Sequence, residues 1–233
     1  HRRQKADQSQ PSRENTPVTN KTSAEAALAR VRTYHDELTA IRRDIHAHPE
    51  LGLDTHRTAD IVAKLLESWG IEVHRMVNGA AVVGVLRSGN GHRAIGLRAD
   101  MDALPIHEAT GVAYKSGTPG VQHACGHDGH TTILIGAARV LARLAKEAPL
   151  PNPVTLLFQP AEEGGNGGDR MVRDGCLEGR VIGPPVSQVY GLHGWPDQPL
   201  GTVSSRPGPM LASADAFEIV LRDKPAQMLA LSP

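Results

Sequence analysis

VTLLFQPAEEGGNGG, residues 154–168, runs from five strand-forming residues into two adjacent carboxylates, Glu162 and Glu163, and then into glycines. A short apolar run bounded by turn residues predicts a strand buried on both faces, the kind found inside a parallel sheet. Adjacent carboxylates repel each other in a pocket unless a cation lies between them or one takes up a proton. A solvated acidic turn is the alternative reading of the same pair.

Outward from this strand, other apolar runs end in the same way. AIGLRA (94–99) leads into Asp100 and Asp102, and QVYGL (188–192), read as a second buried strand, leads into His193. IEVHRMV (71–77), AAVVGVL (80–86), GTVSS (201–205) and ADAFEIVL (214–221) also predict strands. Leu28, Val31, Leu38, Ile41 and Ile45 keep helical spacing, so one helix is expected from Ser23 to about His48-Pro49. A second follows, capped by Asp54 or Thr55, lined by Ile61, Val62, Leu65, Leu66 and Trp69, and ended by Gly70. A third spans about 129–146, with Ile133, Ala137, Val140, Leu141 and Leu144 on its buried stripe. Strands alternating with amphipathic helices predict an α/β layered domain. In open α/β sheets the carboxyl ends of parallel strands converge on the ligand crevice. Acids and histidines from three strand ends would meet there if the strands are parallel neighbours.

Residues 123–131, HACGHDGHT, add more metal-capable groups. Cys125 and His127 lie two residues apart around a glycine, so thiolate and imidazole can reach one ion. On its own, C-x-H equally describes a small buried cysteine beside a capping histidine. A redox role has little support, because the chain has no C-x-x-C and only one other cysteine, Cys176. His123, Asp128 and His130 read as scaffold around the ligands, and His46 and His48 as local capping or packing residues at a helix end.

Composition narrows the partners. Lys plus Arg and Asp plus Glu each number 25, which gives no sign of nucleic acid or an anionic membrane as partner. No apolar run is long enough to cross a bilayer. Two cysteines cannot form a disulfide framework, which fits a reducing, cytoplasmic setting. Residues 1–22 are polar and read as a disordered leader.

RRDIHAHPELG (42–52), RADMDALPI (98–106), HACGHDGHT (123–131), LLFQPAEEGGNGG (156–168), YGLHGWPDQPLG (190–201) and GPMLASADAFEI (208–219) occur in that order. Together they resemble the aminoacylase, hippurate hydrolase and auxin-conjugate hydrolase family of metal-dependent amidohydrolases. The resemblance implies a zinc-aminopeptidase-like fold with a mixed, largely parallel sheet flanked by helices. It implies Cys125, His127, Glu163 and His193 as metal ligands, Glu162 as general base, and Asp100 as a carboxylate supporting a ligand. One or two divalent ions are implied, zinc first, with manganese or cobalt as alternatives. The implied reaction is hydrolysis of the amide bond of N-acyl amino acids by a metal-bound water, in homo-oligomers.

By the same resemblance, 23–213 form the N-terminal part of the catalytic domain, and 214–233 begin a lid and dimerisation domain that is truncated and divergent. Gln227 stands where a substrate-binding histidine is expected. Little turnover is therefore expected from this chain alone. The competing readings are a non-catalytic fragment or pseudoenzyme, and a related deacetylase or dipeptidase.

Overall fold

A computed structural model describes residues 21–211 of the chain. The chain divides into two compact units between Gly194 and Trp195. The first unit carries helices α1 (Lys21–Arg32), α2 (His35–Ala47), α3 (His56–Ser68), α4 (His127–Glu147) and α5 (Gly167–Arg173). Its five strands are β1 (Glu72–Met76), β2 (Ala81–Leu86), β3 (Ala94–Asp100), β4 (Val154–Gln159) and β5 (Val186–Gly191).

These strands form one mixed sheet in the order β1-β2-β4-β3-β5. β1 with β2 and β2 with β4 are antiparallel, whereas β4 with β3 and β3 with β5 are parallel. The parallel half is the part that carries the strand ends of interest. β2 and β4 lie inside the sheet, and their apolar runs have a physical cause. Val82, Leu156 and Phe158 join the cluster built with α3 and α4, while Val83, Val85 and Leu157 join a second cluster with Met171, Cys176 and Ile182. Side chains alternate between two apolar layers, so both faces must be apolar.

Four expectations need correction. The single helix over 23–48 is two, because Thr33 and Tyr34 turn the chain: the Thr33 hydroxyl donates to Arg30 O at 2.7 Å and Tyr34 N to Val31 O at 2.9 Å. α3 is not capped by Asp54 or Thr55. Glu50 accepts from the amides of Arg57 and Thr58, each at 2.8 Å, while the Thr55 hydroxyl donates to Ala80 O. QVYGL is not a buried strand. β5 pairs with β3 at one end of the sheet, and Val189 and Tyr190 are about half exposed. GTVSS forms no strand either. Residues 195–211, the described part of the second unit, are exposed throughout and lack a face to bury; local bonds such as Thr202 N to Pro199 O at 3.1 Å hold turns instead. ADAFEIVL lies outside the described residues. No helix among the described residues is long and apolar enough to cross a membrane.

Gly84 is required by packing, not by backbone freedom. A Cβ there would lie 2.9 Å from Leu66 Cδ1 and 3.2 Å from both Ile71 Cγ2 and Leu156 Cδ1. Gly84→Val should therefore overpack the α3 face of the sheet and cost about 1–3 kcal/mol. Urea unfolding reads this as a lower midpoint; an unchanged midpoint would contradict the packing.

Candidate metal centre

The last rung of the β3–β4 ladder pairs Asp100 with Gln159, and β5 runs parallel to β3 with Gly191 opposite Arg98. All three strands therefore end at one edge. Beyond it come Asp102, then Glu162 and Glu163, then His193. The fourth contributor is α4, whose first residue is His127. Gly126 precedes it at φ +90°, a left-handed conformation that glycine adopts without steric cost, and this turns the chain sharply into the helix. The backbone before Glu162 is also forced: Ala161 has φ +50° and its amide donates to Gly52 O at 3.0 Å.

His127 is the hub. It is fully buried, and neither ring nitrogen has a hydrogen-bond partner. Four carboxylates surround the ring: Asp102 Oδ1 lies 3.5 Å from Nδ1, and Asp100 Oδ2, Glu163 Oε1 and Glu162 Oε2 lie 3.7, 3.7 and 3.8 Å from Nε2. Ligand atoms of Cys125, His127 and His193 also lie within 4.8 Å of one another, as do those of His127, Glu162 and Glu163. The structure thus brings together Cys125, His127, Glu162, Glu163, His193 and Asp100.

Hydrogen-bond accounting separates the other histidines. His130 accepts from Gly194 N at Nε2, 2.7 Å, so its Nδ1–H donates to Asp100 Oδ1, also 2.7 Å. Both nitrogens are used, which removes His130 from any ligand set. His193 Nδ1 faces Gly194 O at 2.6 Å, and a carbonyl only accepts, so the Nε2 lone pair is directed at Cys125 Sγ, 3.4 Å away. That is the tautomer a ligand needs.

Two residues have larger roles than the sequence suggested. Asp102, which the sequence places only beyond the end of a strand, is buried and accepts from the amides of Glu162 at 2.9 Å and Glu163 at 3.1 Å. His46 is no local cap. It is buried with Nδ1 2.9 Å from Asp128 Oδ2 and Nε2 3.2 Å from Glu108 Oε1, and Arg42 Nε reaches the same Asp128 oxygen at 2.8 Å. Their partners are 62–86 residues away in sequence, and no local pattern marks them. His48 does act locally, on Asp44 O.

The electrostatics follow from these contacts. Burial, then the Glu163 carboxylate beside it, push the Cys125 thiol up to about 12. Burial opposes the charged form of His127, but Asp102, Asp100 and Glu163 more than reverse it and raise its pKa. Burial, helped by the neighbouring His46 and His127 and opposed by Asp128 and Asp102, lowers His123 to about 4, so that ring is neutral. Such a surplus of negative charge suits a bound cation, which would also hold Cys125 as thiolate. The unpartnered nitrogens of His127 and the S, N and O donor set fit a divalent metal.

Comparison with known proteins agrees with this chemistry. Residues 96–229 match the profile of peptidase family M20/M25/M40. The chain belongs to that family. It is 43% identical over 198 residues to the Arabidopsis thaliana IAA-amino acid hydrolase ILR1-like 4, covering 84% of this chain and 43% of that protein. It is 44% identical over 186 residues to the hippurate hydrolase of Campylobacter jejuni, covering 78% of this chain and 46% of that protein. Among solved structures, a Bacillus subtilis dinuclear metal binding peptidase from the M20 family superposes with a TM-score of 0.65 at 36% identity. That match covers 73% of this chain and 45% of the other. The chain spans about half the length of the curated relatives it matches.

Asp100 gives a pH test. Burial would raise its pKa, but the His130 hydrogen bond, with Arg98 and His127 nearby, lowers it to about 2. A carboxylate depressed on folding stabilises the protein above its unfolded pKa of about 3.9, and that stability is lost as pH falls toward 2. Asp100→Asn should therefore show a shallower acid limb between about pH 4 and 2, by on the order of 2 kcal/mol. Parallel acid limbs for variant and wild type would exclude this linkage.

Proposed function

We propose that this site serves metal-dependent hydrolysis of the amide bond of N-acyl amino acids of the hippurate type. The observation that carries the reading is the buried, unpartnered His127 ring among four carboxylates, with the Cys125–His193 pair beside it. The names of the relatives support the substrate class.

In this reading Cys125, His127, Glu163 and His193 hold a divalent ion. When bound, the ion polarises the scissile carbonyl and lowers the pKa of water from about 15.7 toward about 7. Thiolate plus imidazole favours zinc, and the carboxylate donors accept manganese or cobalt. Glu162 is the general base. Its carboxylate is the more exposed of the pair, 39% against 24% for Glu163, so it can take a proton from water and return it to the leaving amine. Asp100 acts behind the site by fixing the His130 ring.

Four ligands suffice for one ion and are too few for a complete pair. We therefore propose low turnover by this chain alone; a small-molecule amide as substrate and a cytoplasmic location complete the reading.

The test is zinc or manganese titration of the purified chain. About one ion per chain is expected, with binding strongly weakened in Cys125→Ser and His127→Ala but retained in Glu162→Gln. Equal metal content in Cys125→Ser and wild type would refute the ligand assignment. Metal-dependent release of benzoate from hippurate above the uncatalysed rate would overturn only the low-turnover part.

A further inference from the structure

Cys125 and His127 are placed by the start of α4, and Glu163 by the bond from its amide to Asp102. His193 is placed differently. The β3–β5 ladder ends with Arg98 opposite Gly191, two residues short of it, and His193 itself is exposed. We infer that His130 is a positioning residue that seats His193 for the ion. Its ring fixes the peptide that follows His193 and packs against the His193 imidazole. The inference rests on the metal reading above, but its observations are its own.

His130 is only 4% exposed and is held from below. Its Nδ1–H donates to Asp100 Oδ1 at 2.7 Å, and the next residue, Thr131, donates from its hydroxyl to Asp100 O at 2.9 Å. Asp100 is braced in turn by Arg98 at 2.8 Å, and Arg98 by Gln159 at 2.9 Å. The first turn of α4 is thus pinned to the ends of β3 and β4. A ring on such a base can fix whatever it touches above.

What it touches is the His193 segment. Nε2 accepts from Gly194 N at 2.7 Å, and a Cβ at Gly194 would stand 3.4 Å from the same nitrogen, so the ring lies directly on that peptide. The ring centroids of His130 and His193 are 4.7 Å apart. His130 is also 5.4 Å from His127, whereas His127 and His193 are 6.3 Å apart. It therefore lies closer to each of the two imidazole ligands than they lie to each other, and sets their spacing. The Asp100 carboxylate fixes the Nδ1–H tautomer of His130, which is the form whose Nε2 lone pair can accept from an amide.

Asn and Gln separate the two bonds of His130. The Asn amide nitrogen takes the place of Nδ1 and keeps the donor to Asp100 but offers nothing to Gly194. The Gln amide oxygen reaches the place of Nε2 and keeps the acceptor. Zinc titration of His130→Asn should show the dissociation constant raised about 10–100-fold, the range for losing a support behind a ligand, and His130→Gln should recover most of that loss. Gly84→Val is the control: it should lower Tm by overpacking the α3 face and leave zinc affinity unchanged, so lost stability alone does not imitate the result. Wild-type zinc affinity in folded His130→Asn, or an equal loss in both His130 variants, would overturn the inference.

A nitrogen–nitrogen coupling across the Gly194 N–H to His130 Nε2 hydrogen bond, measured in the metal-free wild-type chain, needs no substitution. The coupling is expected, and its absence would overturn the inference even if neither variant folds. If wild type takes up no zinc, the metal reading fails, and the coupling alone decides whether His130 holds the peptide after His193.

Discussion

Parallel pairing of β3 with β4 and β5 is the constraint on which the site depends. Had any of these three strands run antiparallel to the others, its terminal acid or histidine would lie at the opposite edge of the sheet. The in-register ladder continues one residue beyond the strands, where Met101 N donates to Gln159 O at 2.9 Å. Segment 50–52 then ties both extensions together: Ala103 N donates to Glu50 O and Ala161 N to Gly52 O. Site residues separated by more than 60 positions in sequence are thus placed by regular backbone, and loops supply only the last few ångströms. Preorganisation of this kind is what a ligand set needs if its geometry is not to be assembled anew at each binding event.

Concentrating charge at that edge has a cost, and the surrounding polar contacts offset it. A carboxylate removed from water is tolerated only with strong donors around it. Asp100 has Arg98 and His130, Asp102 has two backbone amides, and Asp128 has Arg42 and His46. The Arg42–His46–Asp128–Glu108 network ties α2, the start of α4 and the loop around Glu108 together. Tyr114 adds to it, with the Arg43 guanidinium 4.8 Å from its ring centroid. The polar layer behind the ring of site residues therefore has its own supports, in a protein whose apolar core lies farther back between α3, α4 and the sheet.

Much of this was legible in the sequence, and the parts that were not share a cause. β2 and β4 announced themselves because burial on both faces demands continuous apolar residues. α4 was read from its stripe, although its start was placed at 129, because periodicity cannot register His127 and Asp128 as helical when both are polar. α5 was missed: it is seven residues long and opens with two glycines after Asn166 at φ +56°. The edge position of β5 was invisible, since strand order is a tertiary property and an apolar run reads the same at an edge as in the centre. Asp102 and His46 were undervalued for the same reason. Their importance lies in partners supplied by other elements, and single-sequence spacing carries no record of those.

The nine residues HACGHDGHT show why residue type alone cannot assign roles. Three histidines lie within eight positions, all buried, yet they differ in how their nitrogens are used. His130 spends both on Asp100 and Gly194. His123 spends neither, but its environment lowers its pKa to about 4 and it remains a neutral ring. His127 spends neither while the Asp102, Asp100 and Glu163 carboxylates raise its affinity for positive charge. A buried nitrogen without a partner costs on the order of 1–3 kcal/mol, and carboxylates crowded around it repel one another. One cation bound at Nε2 relieves both costs at once. Of the three histidines, only His127 combines unsatisfied nitrogens with that excess of negative charge, so it is the one on which a metal centre would be built.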